Sequence, residues 1–278
     1  MARADTRMRL AVLGAGKMGG ILIEAFLKQS LVSPQNLRAT VQHPGQERKL
    51  ATKLPVPLSA DNCDAARRAD VILLCVKPQT VGRVLDEIRP ELGDKQLLIS
   101  IAASVPTDYI ERRLGTKVPV VRAMPNTPSM VGAGITALSK GKFATQKHIE
   151  TAEKLFGAVG RTVVVDERHM DAITGLSASG PAFMYIILES LAEGGVKVGL
   201  SRELATLLAA QMALGAAKMV VETGFHPALL KDTVTTPAGC TIDGILELEE
   251  GGLRVTLIKA VVKAAQRARE LLLTDENA

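Results

Sequence analysis

The segment Gly14-Ala-Gly16-Lys-Met-Gly19 constrains this chain more than any other, because it follows an apolar run that begins at Leu10 and precedes an amphipathic stretch. At a strand-to-helix junction, the first glycine of Gly-x-Gly-x-x-Gly permits a tight turn, the second lets a pyrophosphate approach the backbone, and the third allows close helix–strand packing. The start of such a helix presents free N–H groups to phosphates. The segment therefore predicts a dinucleotide-binding loop, the alternative being a glycine turn that binds nothing.

Residues 1–166 alternate short apolar runs with helical stretches. Apolar runs without internal alternation are typical of strands buried on both faces, and their alternation with helices indicates parallel βαβ units. This half is therefore predicted to be an α/β, Rossmann-like dinucleotide-binding domain. The predicted strands are Leu10–Gly14, Leu37–Val41, Val71–Val76, Leu97–Ile101 and Val118–Arg122, with Thr162–Val165 closing the sheet, and the predicted helices include Met18–Gln29, Glu47–Lys53 and Thr80–Ile88.

Residues 167–278 contain no further β-rich run and are predicted to be all helical, with long helices near 181–198, 202–223, 241–250 and 253–273. The stretch 204–221 approaches the length of a membrane span, but Gln211 and Lys218 interrupt it and no aromatic belt marks its ends. A helix that is apolar all round has to be covered on all sides. We therefore expect this helix to be buried in a helical bundle or in a subunit interface, with no membrane contact.

The charge distribution argues against nucleic acid as a partner. The formal net charge is +5, but residues 1–166 carry 24 Lys and Arg against 15 Asp and Glu, whereas residues 167–278 carry 10 against 14. The basic residues are scattered, and the chain has no Trp and only two Tyr on which bases could stack. A diffuse positive field suits a small polyanion such as a dinucleotide.

Metal-dependent hydrolysis and nucleophilic triads are not indicated. Cys63, Cys75 and Cys240 have neither metal-ligand spacing nor the pattern of a disulfide framework, and none of the four histidines accompanies a nucleophile motif. Hydride transfer from a nicotinamide, in contrast, needs mainly positioning and electrostatics. The cysteine pattern fits a reducing compartment, and the leader Met1 to Arg7 is too short for a signal peptide, so we expect a cytoplasmic enzyme.

The end of the second predicted strand bears on the choice of cofactor. NAD-specific folds usually place an acid there to accept hydrogen bonds from the ribose hydroxyls. In this chain Gln42 and His43 follow the strand, and Arg48 and Lys49 come soon after. The absence of an acid favours NADP(H). NAD(H) stays an open alternative, because Arg48 and Lys49 also fit a solvated helix face.

Further segments follow other strands of the predicted sheet. Cys75-Val76-Lys77-Pro78 and the small residues 100–104 end two of them. Ligands of open α/β sheets lie outside the carboxyl ends of the strands, so Lys77 is expected near the nicotinamide or the substrate, or else is a surface lysine. The spacing of the residues in the proline-bracketed loop 122–128 does not indicate a chemical role for this loop.

In the helical half, the segment Thr236-Pro-Ala-Gly239-Cys240-Thr241 combines hydroxyls, a turn and the start of a helix. Free N–H groups at Gly239 to Thr241 would bind a carboxylate. The alternative is plain N-capping of the helix by Thr241.

Taken in order, these motifs resemble the pyrroline-5-carboxylate reductase family over nearly the whole chain. The matching segments are the glycine loop, Val76-Lys77-Pro78-Gln79, Arg122-x-Met-Pro-Asn-Thr-Pro128, Ser177-x-Ser-Gly-Pro-Ala182 and Asp232-x-Val-Thr-x-Pro-x-Gly-x-Thr241. The resemblance implies an NAD(P)H-dependent reduction of the cyclic imine L-1-pyrroline-5-carboxylate to L-proline, the final step of proline biosynthesis. It also implies a homodimer formed by the helical domain, often assembled further into a decamer.

The resemblance assigns residue roles as well. Thr236, Gly239, Cys240 and Thr241 would surround the substrate, with Thr241 as the catalytic residue that hydrogen-bonds the ring nitrogen. Metal ligands are not implied. The cofactor would contact Gly14, Ala15, Gly16, Lys17, Met18, His43, Asn62, Cys75, Val76, Lys77, Pro78, Ile101, Ala102 and Ala103.

The chain departs from the family pattern in four places. Gln42-His43-Pro44 replaces a sequence such as Ser-Asn-Arg, Ala178 and Ala238 replace common glycines, and Phe183 replaces the usual Tyr.

The same residues bear on alternative functions. A β-hydroxyacid dehydrogenase would need a catalytic Lys within residues 181–195, and this segment has none. A non-catalytic NADPH-binding regulator would leave the segment 236–241 unexplained. An imine reductase acting on a different ring stays open.

Overall fold

A computed structural model describes residues 8–42 and 45–273. The described chain contains one eight-stranded sheet in the order β3-β2-β1-β4-β5-β6-β7-β8. All neighbouring strands are parallel except β6 and β7, which are antiparallel. The strands are β1 Leu10–Leu13, β2 Leu37–Thr40, β3 Leu58–Ser59, β4 Val71–Leu74, β5 Leu97–Ser100, β6 Val120–Met124, β7 Gly134–Lys140 and β8 Gly160–Val164.

Twelve α-helices surround or follow this sheet in the described chain, together with short 3₁₀ turns and a π-helical turn at Thr174–Ala178. The first seven are α1 Lys17–Lys28, α2 Gln46–Ala51, α3 Asn62–Arg67, α4 Pro78–Ile88, α5 Thr107–Leu114, α6 Gln146–Phe156 and α7 Met170–Ile173. The remaining five are α8 Gly180–Lys197, α9 Arg202–Thr223, α10 Pro227–Val234, α11 Cys240–Glu250 and α12 Leu253–Leu273.

The predicted fold class, a Rossmann-like sheet domain followed by a helical domain, is confirmed. Every predicted strand and every helix predicted by range is present within a few residues of its predicted ends. Two strands, β3 and β7, were not predicted. β7 lacks a period of two, because Ala137 and Leu138 are adjacent apolar residues, and it turns back against β6. The helix α3 was not predicted either, because its six residues are too few to display a helical period; it begins after Asp61, whose side chain accepts a hydrogen bond from the Asp64 amide.

Both faces of the sheet are buried, as the uninterrupted apolar runs predict. In β1, Leu10 and Val12 belong to the cluster that includes Phe26 of α1, whereas Ala11 and Leu13 belong to the opposite cluster, which includes Val81 of α4. Alternate residues of a strand point to opposite faces, so one short strand joins two helix layers. The carboxyl end of β1 is thereby fixed at the centre of the sheet, where the glycine loop begins.

The chain divides into two compact units, one formed by the residues up to Ala178 together with those from Lys263 onward, and the other by Ser179–Val262. The boundary at 166/167 that the sequence suggests stays a prediction. Within the second unit, α8 and α9 pack through small residues, with Ala192, Ala205 and Ala209 buried between them. Small side chains allow the two helix axes to approach closely.

Large apolar side chains cover the outer faces of these helices. Ile186 of α8 and Leu207 and Leu214 of α9 are each more than 60% exposed in the single chain. By length and composition, the stretches Glu167–Lys197 and Arg202–Thr223 also meet the criterion for a membrane-spanning helix. A contiguous apolar surface of this kind marks a region that is covered by a partner or by lipid.

Two adjacent glycines of α1 provide a test of the packing between α1 and the glycine loop. A Cβ at Gly19 would collide with the carbonyl oxygen of Gly14, whereas a Cβ at Gly20 would meet no atom within 4 Å. We expect Gly19→Ala to lower the free energy of unfolding by about 1–3 kcal/mol through overpacking. Gly20→Ala should leave it unchanged or raise it by up to about 1 kcal/mol, because alanine favours the helix.

Urea denaturation of both variants measures this difference. Equal stability of the two variants would show that α1 does not need the close approach at Gly19.

Candidate active site

The glycine loop connects β1 to α1 and lies against the end of β4. Gly14 has a φ of +98°, and a Cβ there would lie 3.0 Å from the Cys75 carbonyl oxygen and 3.0 Å from a Val76 methyl group. Gly16 is the N-cap of α1 and supplies no side-chain hydrogen bond, and a Cβ on it would meet no protein atom within 4 Å. Gly14 is thus required by internal packing, whereas Gly16 leaves space and uncapped amides at the start of α1.

A chain of hydrogen bonds attaches this loop to the neighbouring elements. The Gly14 amide donates to the Thr40 hydroxyl at 3.1 Å, and the Ala15 amide donates to the Thr40 carbonyl at 2.7 Å. The Thr40 hydroxyl donates to the Asn62 side-chain oxygen at 2.7 Å, and the Asn62 side-chain amide donates to Glu87 at 3.0 Å. The chain Thr40–Asn62–Glu87 therefore links the loop to β2, α3 and α4.

A cavity of about 490 Å³ opens beside the loop at the carboxyl edge of the sheet. Its volume lies in the range of cofactor pockets. Seven of the predicted cofactor residues line it, namely Gly14, Ala15, Gly16, Asn62, Cys75, Val76 and Lys77. Seven further lining residues were not predicted, namely Thr40, Val41, Gln42, Gln46, Thr80, Arg83 and Val84.

The other predicted cofactor residues lie outside this lining. Lys17 and Pro78 are the first residues of α1 and α4, directly after lining residues. Met18 and Ile101 pack on one core cluster and Ala102 belongs to the other, while Ala103 packs against a small third cluster. His43 lies outside the described residues. The roles of these residues stay predictions.

The electrostatics of the cavity fit an anion. Among the described lining residues none is acidic, and the two charged ones, Lys77 and Arg83, are cations. Burial raises the pKa of the Cys75 thiol far above its ordinary value, so that this group stays neutral at physiological pH. The starts of α1 and α4 add the positive ends of two helix dipoles. These donors and charges suit the phosphates of a dinucleotide.

The second predicted site lies at the start of α11. Gly239 is the N-cap, Cys240 the first residue and Thr241 the second, so the alternative in which Thr241 caps the helix is wrong. The Gly239 amide donates to the Thr236 carbonyl oxygen at 3.1 Å. In this part of the described chain, the amides of Cys240 and Thr241 have no acceptor. Two of the three expected amide donors are thus available to a carboxylate.

Strain accompanies this turn. Ala238 has a φ of +54°, in the left-handed region that favours glycine. An alanine in this conformation costs conformational energy that a glycine would not.

Other residues singled out in the sequence have structural roles. Asn126 accepts a hydrogen bond from the Ile135 amide at 3.0 Å, and buried Arg122 forms ion pairs with Glu167 and Asp171 at 3.4 Å each. His148 and His226 accept hydrogen bonds from backbone amides at the starts of α6 and α10. Across residues 8–42 and 45–273, no group of three or more His, Cys, Asp or Glu side chains could hold a metal ion.

Comparison with known proteins assigns each half of the chain. Residues 9–104 match a family model described as NADP oxidoreductase, coenzyme F420-dependent, and residues 167–271 match one described as pyrroline-5-carboxylate reductase dimerisation. Together with the sheet and the glycine loop, the first match defines a dinucleotide-dependent oxidoreductase and confirms the predicted NADP(H) cofactor. The second match shows that the helical half is a dimerisation domain.

Curated relatives extend over almost the whole chain. The pyrroline-5-carboxylate reductase of Methanosarcina acetivorans is 44% identical over 95% of this chain and 97% of its own length, and that of Glycine max is 42% identical over 94% and 95%. The chain belongs to the pyrroline-5-carboxylate reductase family. Membership confirms the predicted reaction, the reduction of L-1-pyrroline-5-carboxylate to L-proline.

Solved structures agree with this assignment. The pyrroline carboxylate reductase of Plasmodium falciparum, whose crystal structure has NADP bound, superposes with a TM-score of 0.88 at 30% identity over 96% of this chain and 98% of that chain. The enzyme of Coxiella burnetii superposes with a TM-score of 0.86 at 36% identity over 95% and 98%.

The buried Thr40 hydroxyl provides a test of the loop's support. In Thr40→Val, the Gly14 amide loses its acceptor and Asn62 loses its donor. We expect the free energy of unfolding to fall by about 1–3 kcal/mol, the cost of leaving buried polar groups unpaired, and NADPH binding to weaken because the loop is less well fixed. Thr40→Ser retains the hydroxyl and should retain both properties.

Urea denaturation and calorimetric titration with NADPH measure the two effects. If the Val and Ser variants behave alike, the hydroxyl does not hold the loop.

Proposed function

We propose that the cavity beside the glycine loop binds NADPH in preference to NADH and that the start of α11 binds the carboxylate of the imine substrate. The observation that carries the first part is the composition of the cavity wall. It combines the uncapped start of α1 with two cations and, among its described residues, no acid that would repel a 2′-phosphate. NADPH, when bound, supplies the hydride that reduces the imine carbon.

The residues of the first unit bind and orient in this proposal. The backbone amides at the start of α1 donate hydrogen bonds to the pyrophosphate, since no side chain caps them. Lys77 follows β4 and adds a positive charge at the same edge of the sheet. The neutral thiol of Cys75 and the Val76 side chain form an uncharged part of the wall, which suits a nicotinamide ring better than a phosphate.

The substrate part rests on α11. Its first two amides, those of Cys240 and Thr241, are without acceptors in the described chain and are directed along the positive end of the helix dipole, which suits a carboxylate. The Thr241 hydroxyl accepts a hydrogen bond from the N–H of the protonated imine and holds the ring in register. Because the iminium already carries its proton, the reaction needs no histidine or carboxylic acid as a proton donor.

The Thr241 proposal has a direct kinetic test. The wild-type enzyme should oxidise NADPH with pyrroline-5-carboxylate and leave hydroxy acids unreacted. Thr241→Val keeps the size of the side chain but removes the hydroxyl, and we expect kcat/KM to fall by roughly five- to hundredfold, equivalent to about 1–3 kcal/mol. NADPH affinity and Tm should stay unchanged, because Gly239 and not Thr241 caps the helix.

The matched control is Thr233→Val, since the Thr233 hydroxyl donates only to the Leu230 carbonyl within α10. A Thr241 variant with wild-type kcat/KM would remove this hydroxyl from the mechanism. Loss of stability in place of activity would assign it a structural role.

We further propose that the dimerisation domain forms a homodimer, that dimers assemble further into a decamer, and that the enzyme is cytoplasmic with no membrane contact. The support for the dimer is the width of the apolar surface on α8 and α9, which leaves narrow polar faces for a monomer in water. Burial of this surface in a partner subunit also accounts for helices that are long and apolar enough to cross a membrane.

Sedimentation tests the assembly. At micromolar concentration without detergent, the wild-type protein should sediment as a dimer or a larger species, with no folded monomer. Leu207→Glu places a charge on the exposed apolar face of α9 and should dissociate or destabilise the oligomer, whereas Lys95→Glu, before β5 in the other unit, should not. A stable folded wild-type monomer would contradict the proposal.

A further inference from the structure

Arg83 stands out among the residues that line the cofactor cavity. It lies in the second turn of α4, and its side chain is exposed. In the described parts of the chain, its guanidinium has no ion pair or hydrogen bond. The nearby acids are engaged elsewhere, since Asp86 pairs with Arg113 at 2.6 Å and Glu87 accepts from Asn62 at 3.0 Å. The cavity therefore has an uncompensated guanidinium on its wall.

The fold indicates which end of the cavity Arg83 occupies. Arg83 is four residues before Glu87, so the two side chains are neighbours on one face of α4. Glu87 is joined through Asn62 to Thr40 at the end of β2. Because α4 begins directly after β4, Arg83 is nearer than Glu87 to the carboxyl edge of the sheet. Arg83 therefore belongs to the part of the wall that adjoins the end of β2.

The end of β2 is where dinucleotide-binding folds recognise the ribose of the adenosine half. The described side chains there that line the cavity, Gln42 and Gln46, are uncharged amides. Amides donate hydrogen bonds to a phosphate but do not neutralise its charge, whereas a guanidinium does both and binds two phosphate oxygens at once. The described part of the cavity wall contains two cations, Lys77 and Arg83. Lys77 directly follows β4, so Arg83 is the one that adjoins the end of β2.

We infer that Arg83 binds the 2′-phosphate of NADP(H) and determines the preference for the phosphorylated cofactor. This inference rests on the proposed function of the cavity. It assigns recognition of the 2′-phosphate to a helix that follows the fourth strand, in place of the residues after the second strand.

Binding of adenosine fragments tests the inference without catalysis. The probes are 2′,5′-ADP and 5′-AMP, which differ by the 2′-phosphate, and isothermal titration calorimetry gives their Kd values. We expect the wild-type enzyme to bind 2′,5′-ADP more tightly than 5′-AMP. Arg83→Gln should weaken 2′,5′-ADP binding by about ten- to hundredfold and change 5′-AMP binding less than about twofold. Arg83→Lys should recover part of the loss.

Two control variants separate local from general effects. Lys95→Gln removes the same charge at the opposite end of the sheet, before β5, and should leave both Kd values unchanged. Arg48→Gln removes a basic residue that comes soon after β2 in the sequence, and its effect on 2′,5′-ADP should be smaller than that of Arg83→Gln.

The outcomes distinguish this inference from the proposed function. A wild-type enzyme that does not prefer 2′,5′-ADP would overturn both. A wild-type preference that survives in Arg83→Gln, or that is lost only in Arg48→Gln, would overturn the role of Arg83 and leave the NADPH proposal standing. Equal weakening of both probes in Arg83→Gln would assign Arg83 to the adenine ring and overturn its role toward the phosphate.

Discussion

The close approach between the start of α1 and the ends of β1 and β4 is the constraint on which the dinucleotide site depends. Gly14 turns the chain in a left-handed conformation against the Cys75 carbonyl, and Gly19 leaves no space for a Cβ above the Gly14 carbonyl. Because β1 is central in the sheet and buried on both faces, this contact cannot relax without disturbing two helix layers. The amides at the start of α1 are consequently held at a fixed position.

The polar groups around this contact fall into two sets, those that hold the glycine loop in place and those that are available to a ligand. Thr40, Asn62 and Glu87 connect the loop to three neighbouring elements through hydrogen bonds of 2.7 to 3.1 Å. The cations Lys77 and Arg83 have no such internal partners among the described residues, so their charge is available to a ligand. A half-buried, neutral thiol, that of Cys75, also lines the wall. The wall thus offers fixed helix dipoles and two positive charges to an anion.

The helical half follows a different physical rule. Its helices α8 and α9 bury alanines between them but leave large apolar side chains exposed on their outer faces. A single chain in water cannot stabilise such a surface, which is why the match to a dimerisation domain and the apolar pattern agree. We propose substrate binding at the start of α11, in this same half.

The sequence alone determined those features that depend on neighbouring residues. The glycine loop, the buried strands, the apolar helices and the start of α11 at the turn around Gly239 all follow from local patterns, and the combined motifs identified the family. The tertiary structure decided the contacts between distant segments. Thr40 meets Gly14 and Asn62 across 26 and 22 positions, and Asn62 meets Glu87 across 25, because the sheet order places β2, β1 and β4 side by side.

For the same reason, the sequence did not reveal Arg83 as part of the cavity wall. A local pattern gives the face of a helix on which a residue lies. Only the packing of that helix against the sheet decides what the face meets.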